Sequence, residues 1–390
     1  MTISDDELAR LRADTPACSD LIHFNNAGAS LMPTPVVDAT VGHLELERDI
    51  GGYEAAAASR GALAGFYTNF ATLLRAEPGE IAYVENATRA WDMAFYALPL
   101  VEGDRIITHA AEYASSFLAF LHLQRQRGVH IDIAPSDESG QIDVEALPSL
   151  VTPRTRVINL VHVPTQGGLV NPAGAVGRFA RDHGLIYVLD ACQSVGQLDV
   201  DVSRIGCHIL SGTGRKFLRG PRGTGFLYVD GGILDQMEPP FIDMRAATWS
   251  REDGYELAEG SRRFENWESN VAGRIGLSVA VDYAMQIGLD AIEERVFRLG
   301  RYLRDALAEI DGIAVLDRGE QQCGIVTFSS SKERAEDLKL RLRRERVNVS
   351  VTGEESARLD LGRRKIPELV RASVHYFNTE SEIDAFCNLL

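Results

Sequence analysis

Between about residues 80 and 230 the chain alternates two kinds of segment. Amphipathic stretches at 89–98 and 115–126 lie among short apolar runs at 105–108, 129–133, 157–163, 185–189, 209–211 and 225–229. The runs do not interleave polar residues, so strands made from them are buried on both faces and need helices above and below. This pattern predicts an α/β fold. Helical stretches follow at 270–286 and 291–309, then a strand at 324–329, a charged helix at 332–346, a short run at 347–351, a strand at 371–375 and a last helix from Thr379. The reading is an N-terminal arm (1–20), a large domain (21–254) and a small α+β C-terminal domain (255–390) to which the N-terminal segment contributes. The connections are short and no repeat interrupts them, which favours closely joined lobes.

With 390 residues, 45% of them apolar, the chain can bury a sizeable core, which excludes a disordered or fibrous protein. Its 56 acidic and 40 basic residues give a net charge of −16, so neither nucleic acid nor a membrane surface is expected as a partner. No apolar run reaches the ~18 residues of a membrane span. The opening MTISDDELARLRADTP is acidic, unlike a targeting peptide; the expected location is the cytoplasm. Cys18, Cys192, Cys207, Cys323 and Cys387 are scattered without a C-x-x-C pair, which reads as reduced thiols. The histidines form no H-x-x-x-H cluster, so no metal site is expected, and His162 and His375 read as core residues.

Only four of the 40 basic residues are lysine: Lys216, Lys332, Lys339 and Lys365. Lys216 stands in HILSGTGRKFLRGPRGTGFLYV, between glycine-rich segments that let backbone approach a ligand. Asp190, 26 residues earlier, ends the apolar run of LIYVLDACQSVGQ. In open parallel sheets ligands bind at the carboxyl ends of the strands. A lysine amine condenses with a carbonyl cofactor to form a Schiff base, and an aspartate against a pyridine nitrogen keeps it protonated; pyridoxal phosphate needs both groups. Taken singly, Asp190 could cap a helix and Lys216 could be a solvated loop charge. Their spacing, their strand-end placement and the scarcity of lysine favour the paired role.

The sequence resembles the class V aminotransferase-like enzymes of fold type I, which use pyridoxal phosphate and include cysteine desulfurases, selenocysteine lyases, isopenicillin N epimerase and ergothioneine-pathway C–S lyases. The resemblance runs from FNNAGASLMP at 24–33 to VRASVHYFNTESEID at 370–384. It implies a large domain with a seven-stranded, mostly parallel sheet and a smaller C-terminal domain. By position, Lys216 would carry the Schiff base and move the α-proton, Asp190 would hold the pyridine nitrogen, and Gln193 would bond the phenolic oxygen. ENATRAWD resembles the phosphate loop, implicating Ala87, Thr88 and Arg89 at a helix N-terminus, where anions are favoured. Ser211, Thr213 and Arg215 resemble further phosphate contacts, although SGTGRK is two residues longer than the usual SGHK.

AAEYASS places Tyr113 where desulfurases carry a histidine stacked on the ring. A phenol, which ordinarily ionises near ~10, stacks well but is a poorer proton shuttle. Tyr113, Thr165 in HVPTQGG and the long lysine loop resemble the epimerase and ergothioneine-lyase branch. Arg371 matches the arginine that grips the substrate α-carboxylate with two parallel hydrogen bonds, with Asn26, Tyr53 and Trp91 as further substrate-pocket candidates. RRFENWESN resembles the loop by which a second subunit reaches the phosphate, through Ser269 and Asn270, which implies a homodimer with active sites at the subunit interface. Desulfurases carry a sulfur-accepting cysteine shortly before the carboxylate arginine, and residues 351–370 contain none. The resemblance therefore points to a C–S lyase that cleaves a cysteine S-conjugate or sulfoxide to pyruvate and ammonia. Alternatives are an amino acid epimerase or aminotransferase and, less favoured, a cysteine desulfurase.

Overall fold

The computed structural model describes residues 2–390. Its central sheet has seven strands in the order Ile81–Val84, Gly225–Val229, Ile209–Thr213, Ile186–Asp190, Thr155–Val161, Arg105–His109 and His130–Ala134. Gly225–Val229 runs antiparallel to both neighbours, and the other pairings are parallel. The seven-stranded, mostly parallel sheet is thus the one expected.

Successive residues of these strands serve opposite cores, which is why the sequence shows unbroken apolar runs. Ile106, Val157, Val188 and Ile209 pack with Trp91, Phe95 and Phe120, from the helices Ala87–Phe95 and Ala114–Arg127. Ile107, Ile158, Leu189 and Leu210 pack with Phe66, Phe70, Val176 and Val281, from the helices Arg60–Leu74, Ala173–Asp182 and Val271–Ile287. Each such side chain withdrawn from water contributes about 1.5–3 kcal/mol.

A four-stranded antiparallel sheet in the order Ile313–Val315, Ile325–Ser330, Glu368–Ser373 and Ser350–Gly353 forms the smaller unit. Its core unites Leu299, Leu303 and Leu307 of Leu289–Ala308, Leu338 and Leu342 of Ala335–Arg344, and Ile383 and Phe386 of Glu380–Cys387. Phe24 joins that core, and Ile22–His23 pairs with Val347–Asn348. The sequence reading put Val271–Ile287 in the smaller unit, but the helix packs on Thr34–Ile50 and Arg60–Leu74 against the large sheet. Among the described residues no single helix is long and apolar enough to cross a membrane.

Candidate active site

The carboxyl ends of the central strands surround a cavity of about 210 Å³. Asp190 ends its strand there, with its Oδ1 accepting from the Cys192 N–H at 2.8 Å. Lys216 faces the same cavity from the loop after Ile209–Thr213. Burial holds its amine below the usual lysine range, while Cys192 and Asp190 pull the other way and Arg215 and Arg371 reinforce the drop. A lysine with a lowered pKa offers more free amine as nucleophile at neutral pH.

The lysine loop is pinned from behind. Phe217 O meets His375 Nε2 at 2.8 Å, and the Arg219 N–H donates to Lys216 O at 2.9 Å. Gly196, at φ +96°, lies so close that a Cβ would stand 2.4 Å from the Phe217 carbonyl carbon, so only glycine lets the loop after Asp190 touch the lysine loop.

Helix Ala87–Phe95 aims its N-terminus at the cavity, and the Asn86 side chain caps it by accepting from the Arg89 N–H at 2.9 Å. Ala87 and Thr88 line the wall beside Arg215, whose Nη1 donates to Thr213 Oγ1 at 2.9 Å. A helix N-terminus with a guanidinium opposite is suited to a phosphate. Trp91, Tyr113, Thr165 and Gln193 complete the expected lining, and the Trp91 indole donates to Asn159 Oδ1 at 3.0 Å.

Arg371 lies behind Thr165, donating from Nη1 to the Thr165 carbonyl at 2.9 Å and its Oγ1 at 2.6 Å. It has no carboxylate partner among the described residues, and its Nε is buried and unbonded. Burial, reinforced by Arg215, lowers this guanidinium to about 10, which still leaves it charged at neutral pH. A buried cation without a counter-ion is costly, and a substrate carboxylate would relieve that cost. Gln193 Oε1 and Ser211 Oγ are likewise buried without partners.

Several expected residues lie off the cavity wall. Ser211 is paired beside Asp190 in the sheet. Arg89 turns its guanidinium over the Phe241 ring, 5.1 Å from the centroid. Asn26 is consumed structurally, donating to the carbonyls of His23 and Ser373, while its neighbour Asn25 offers Oδ1 to Arg371 at 3.5 Å. Tyr53, 76% exposed, lines a separate surface groove with Ser269 and Asn270, and Asn270 also caps Val271–Ile287. The sequence reading passed over Asp92, Ser115 and Ser116 on the wall, and took Cys192 as packing beside Asp190; all four line the cavity. No local pattern distinguished the first three. Burial, with Asp190 close by, pushes the Cys192 thiol up, so it stays protonated.

A family model for aminotransferase class-V matches residues 22–386. A probable cysteine desulfurase of Xylella fastidiosa is 32% identical, over 98% of this chain and 94% of that protein. The solved apo cysteine desulfurase of Thermococcus onnurineus superposes with a TM-score of 0.91 at 26% identity, covering 100% of this chain and 97% of that one. A cystine C–S lyase, solved with its product cysteine persulfide, shares the fold at a TM-score of 0.87 and 22% identity, covering 96% and 98% of the two chains.

Proposed function

This chain belongs to the aminotransferase class-V family, whose cofactor is pyridoxal phosphate, and from that premise we propose that it is a C–S lyase releasing pyruvate and ammonia from a cysteine S-conjugate or sulfoxide. The observation that carries the reading lies between Ser350–Gly353 and Glu368–Ser373. That segment leads to Arg371, where desulfurases hold their sulfur-accepting thiol, and it contains no cysteine. The one thiol on the cavity wall, Cys192, lies beside Asp190 and stays protonated, a poor sulfur acceptor.

Pyridoxal phosphate, when bound, supplies an electrophilic carbonyl and an electron-withdrawing ring. Asp190 is suited to keep the ring nitrogen protonated, Tyr113 to stack on the ring, and Gln193 to meet the phenolic oxygen. The N–H groups of Ala87 and Thr88, with Arg215 and Thr213, would hold the phosphate. Arg371 fixes the substrate α-carboxylate, and Lys216 takes the proton from the α-carbon. With no thiol to receive it, the sulfur leaves with its substituent from the β-carbon. The epimerase and ergothioneine-lyase branch is favoured by Tyr113, Thr165 and the long lysine loop.

The desulfurase reading is favoured by the names of the relatives. Product analysis separates the two. With cysteine S-conjugates and sulfoxides the loaded enzyme should release pyruvate; alanine from free cysteine, with a protein persulfide, would overturn the proposal. An amino acid-dependent change in cofactor absorption without pyruvate would point to epimerisation or transamination.

A homodimer is part of the same proposal. Val37, Val41 and Leu44 form an exposed stripe on Thr34–Ile50, beside the groove that holds exposed Tyr53 and Trp267 with Ser269 and Asn270. A contiguous apolar face of this kind suits a second copy. Light scattering at micromolar concentration should give twice the chain mass.

A further inference from the structure

Behind Tyr113 lies a carboxyl group that the proposed reaction does not use. Glu112 is buried against the sheet, and no lysine, arginine or histidine pairs with it among the described residues. Its carboxylate is held by three neutral donors: Thr108 Oγ1 at 2.5 Å and Asn159 Nδ2 at 2.7 Å on Oε2, and the Tyr113 N–H at 2.8 Å on Oε1. Two of these donors lead directly to cavity walls. The Tyr113 N–H belongs to the residue whose ring lines the cavity at the start of Ala114–Arg127. Asn159 turns its amide group to Glu112 and its Oδ1 to the indole N–H of Trp91, so the carboxylate fixes which way that amide faces.

We propose that Glu112 is a positioning residue whose charge state sets both aromatic walls of the cavity, Tyr113 through its main chain and Trp91 through Asn159. As a carboxylate it accepts from all three donors. Once protonated, it presents an O–H that only the Thr108 hydroxyl can accept, and the bond from the Asn159 amide, no longer made to a charged oxygen, weakens and loosens its hold on the indole. Of the charged groups, Asp190 on the neighbouring strand faces Glu112; Thr108, Asn159 and the Tyr113 N–H, from the other packed segments, are neutral. Burial, abetted by Asp190 and opposed by the three donors, raises Glu112 to about 7. The switch therefore falls near neutral pH.

Trp91 reports on this directly, because the other tryptophans, Trp249 and Trp267, are exposed, and phenylalanine at 267 keeps an aromatic side chain in the groove proposed for the second copy. In a W249F/W267F form of the protein without added cofactor, Trp91 emission should follow a single transition centred near pH 7. Glu112→Gln should abolish it. Thr108→Val, which removes a donor to the charged form but keeps the side chain's shape, should move the midpoint up by about one pH unit. A transition unchanged in both variants, or no transition in the parent between pH 5.5 and 8.5, overturns the proposal. If Glu112→Gln does not fold, the Thr108→Val shift alone decides. The readout needs no turnover, so it stands or falls independently of the lyase reading.

Discussion

Arg219 is 1% exposed and has no acidic partner among the described residues, yet every arm of its guanidinium is bonded. Nε donates to Leu31 O at 2.7 Å, Nη1 to Tyr376 Oη at 2.6 Å and Nη2 to Thr15 Oγ1 at 2.6 Å, and the plane lies 4.3 Å from the Phe377 centroid. One side chain thus ties the lysine loop to the N-terminal segment and to the turn after Glu368–Ser373. Hydrogen bonds from a charged donor contribute about 1.5–3 kcal/mol each, net of the water bonds they replace, so losing three in Arg219→Ala should cost at least about 4 kcal/mol. Arg219 also has φ +59°, where a non-glycine residue carries roughly 1 kcal/mol of strain. Arg219→Gly should therefore recover about 1 kcal/mol relative to Arg219→Ala, an unusual order for two truncations. Urea unfolding of the cofactor-free protein measures both differences through the midpoint. A loss below about 0.5 kcal/mol in Arg219→Ala, or a glycine variant weaker than the alanine one, would refute the latch.

Lys216→Ala should remove covalent attachment, read as the loss of a borohydride-fixed cofactor mass on the peptide containing residue 216; a retained adduct would place the Schiff base elsewhere. Arg371→Lys should raise KM about 100-fold, the ~2.7 kcal/mol of a lost bidentate grip, and an unchanged KM sinks the carboxylate role. Gly196→Ala should cost at least about 3 kcal/mol, because φ +96° and the 2.4 Å approach to Phe217 act together; a stable, cofactor-binding variant would contradict that packing. Burial lowers His109 and His162 from 6.5 to about 4. The folded chain then binds fewer protons than the unfolded one between these values, so their contribution is full above pH 6.5 and is lost as pH falls towards 4. The urea midpoint should drop between pH 7 and 5, His162→Asn should flatten that drop, and a pH-independent midpoint would refute the assignment. Glu112 acts in the opposite sense, since its raised carboxyl gains protons in the folded state first.

What the sequence made legible depends on whether a residue's role is local. That Asp190 and Lys216 share one cavity was legible because a strand end fixes where each side chain stands. Arg371 was singled out by the resemblance, and its burial was legible in the apolar strand around it. For Asn26 the sequence was ambiguous: both asparagines of FNNAG are polar and adjacent, and only the turn decides that Asn26 bonds inward while Asn25 meets Arg371. Tyr53, expected in the substrate pocket, and Ser269 and Asn270, expected to serve a second subunit, fall together on a surface groove away from the cavity, a placement that depends on tertiary packing. Arg219 escaped notice because its partners Thr15 and Tyr376 lie at sequence distances that no periodicity encodes, and Glu112 because its link to the Trp91 wall runs through Asn159, 47 residues away.

The buried arginines differ in how far their donors are satisfied. Among the described residues Arg219, Arg274, Arg295, Arg304 and Arg371 are buried. Arg295 and Arg304 use Nε on Tyr376 O and on Asp317, and Arg219 uses its own on Leu31 O. Arg371 and Arg274 leave Nε buried without an acceptor. A planar donor set fixed in an interior is costly wherever an acceptor is missing, so these two guanidiniums are the least satisfied of the five. Arg371 stands behind the cavity, where the substrate carboxylate is proposed. Arg274, stacked 4.6 Å from the Tyr67 centroid, lines the groove with Tyr53, Ser269 and Asn270, where the second copy is proposed.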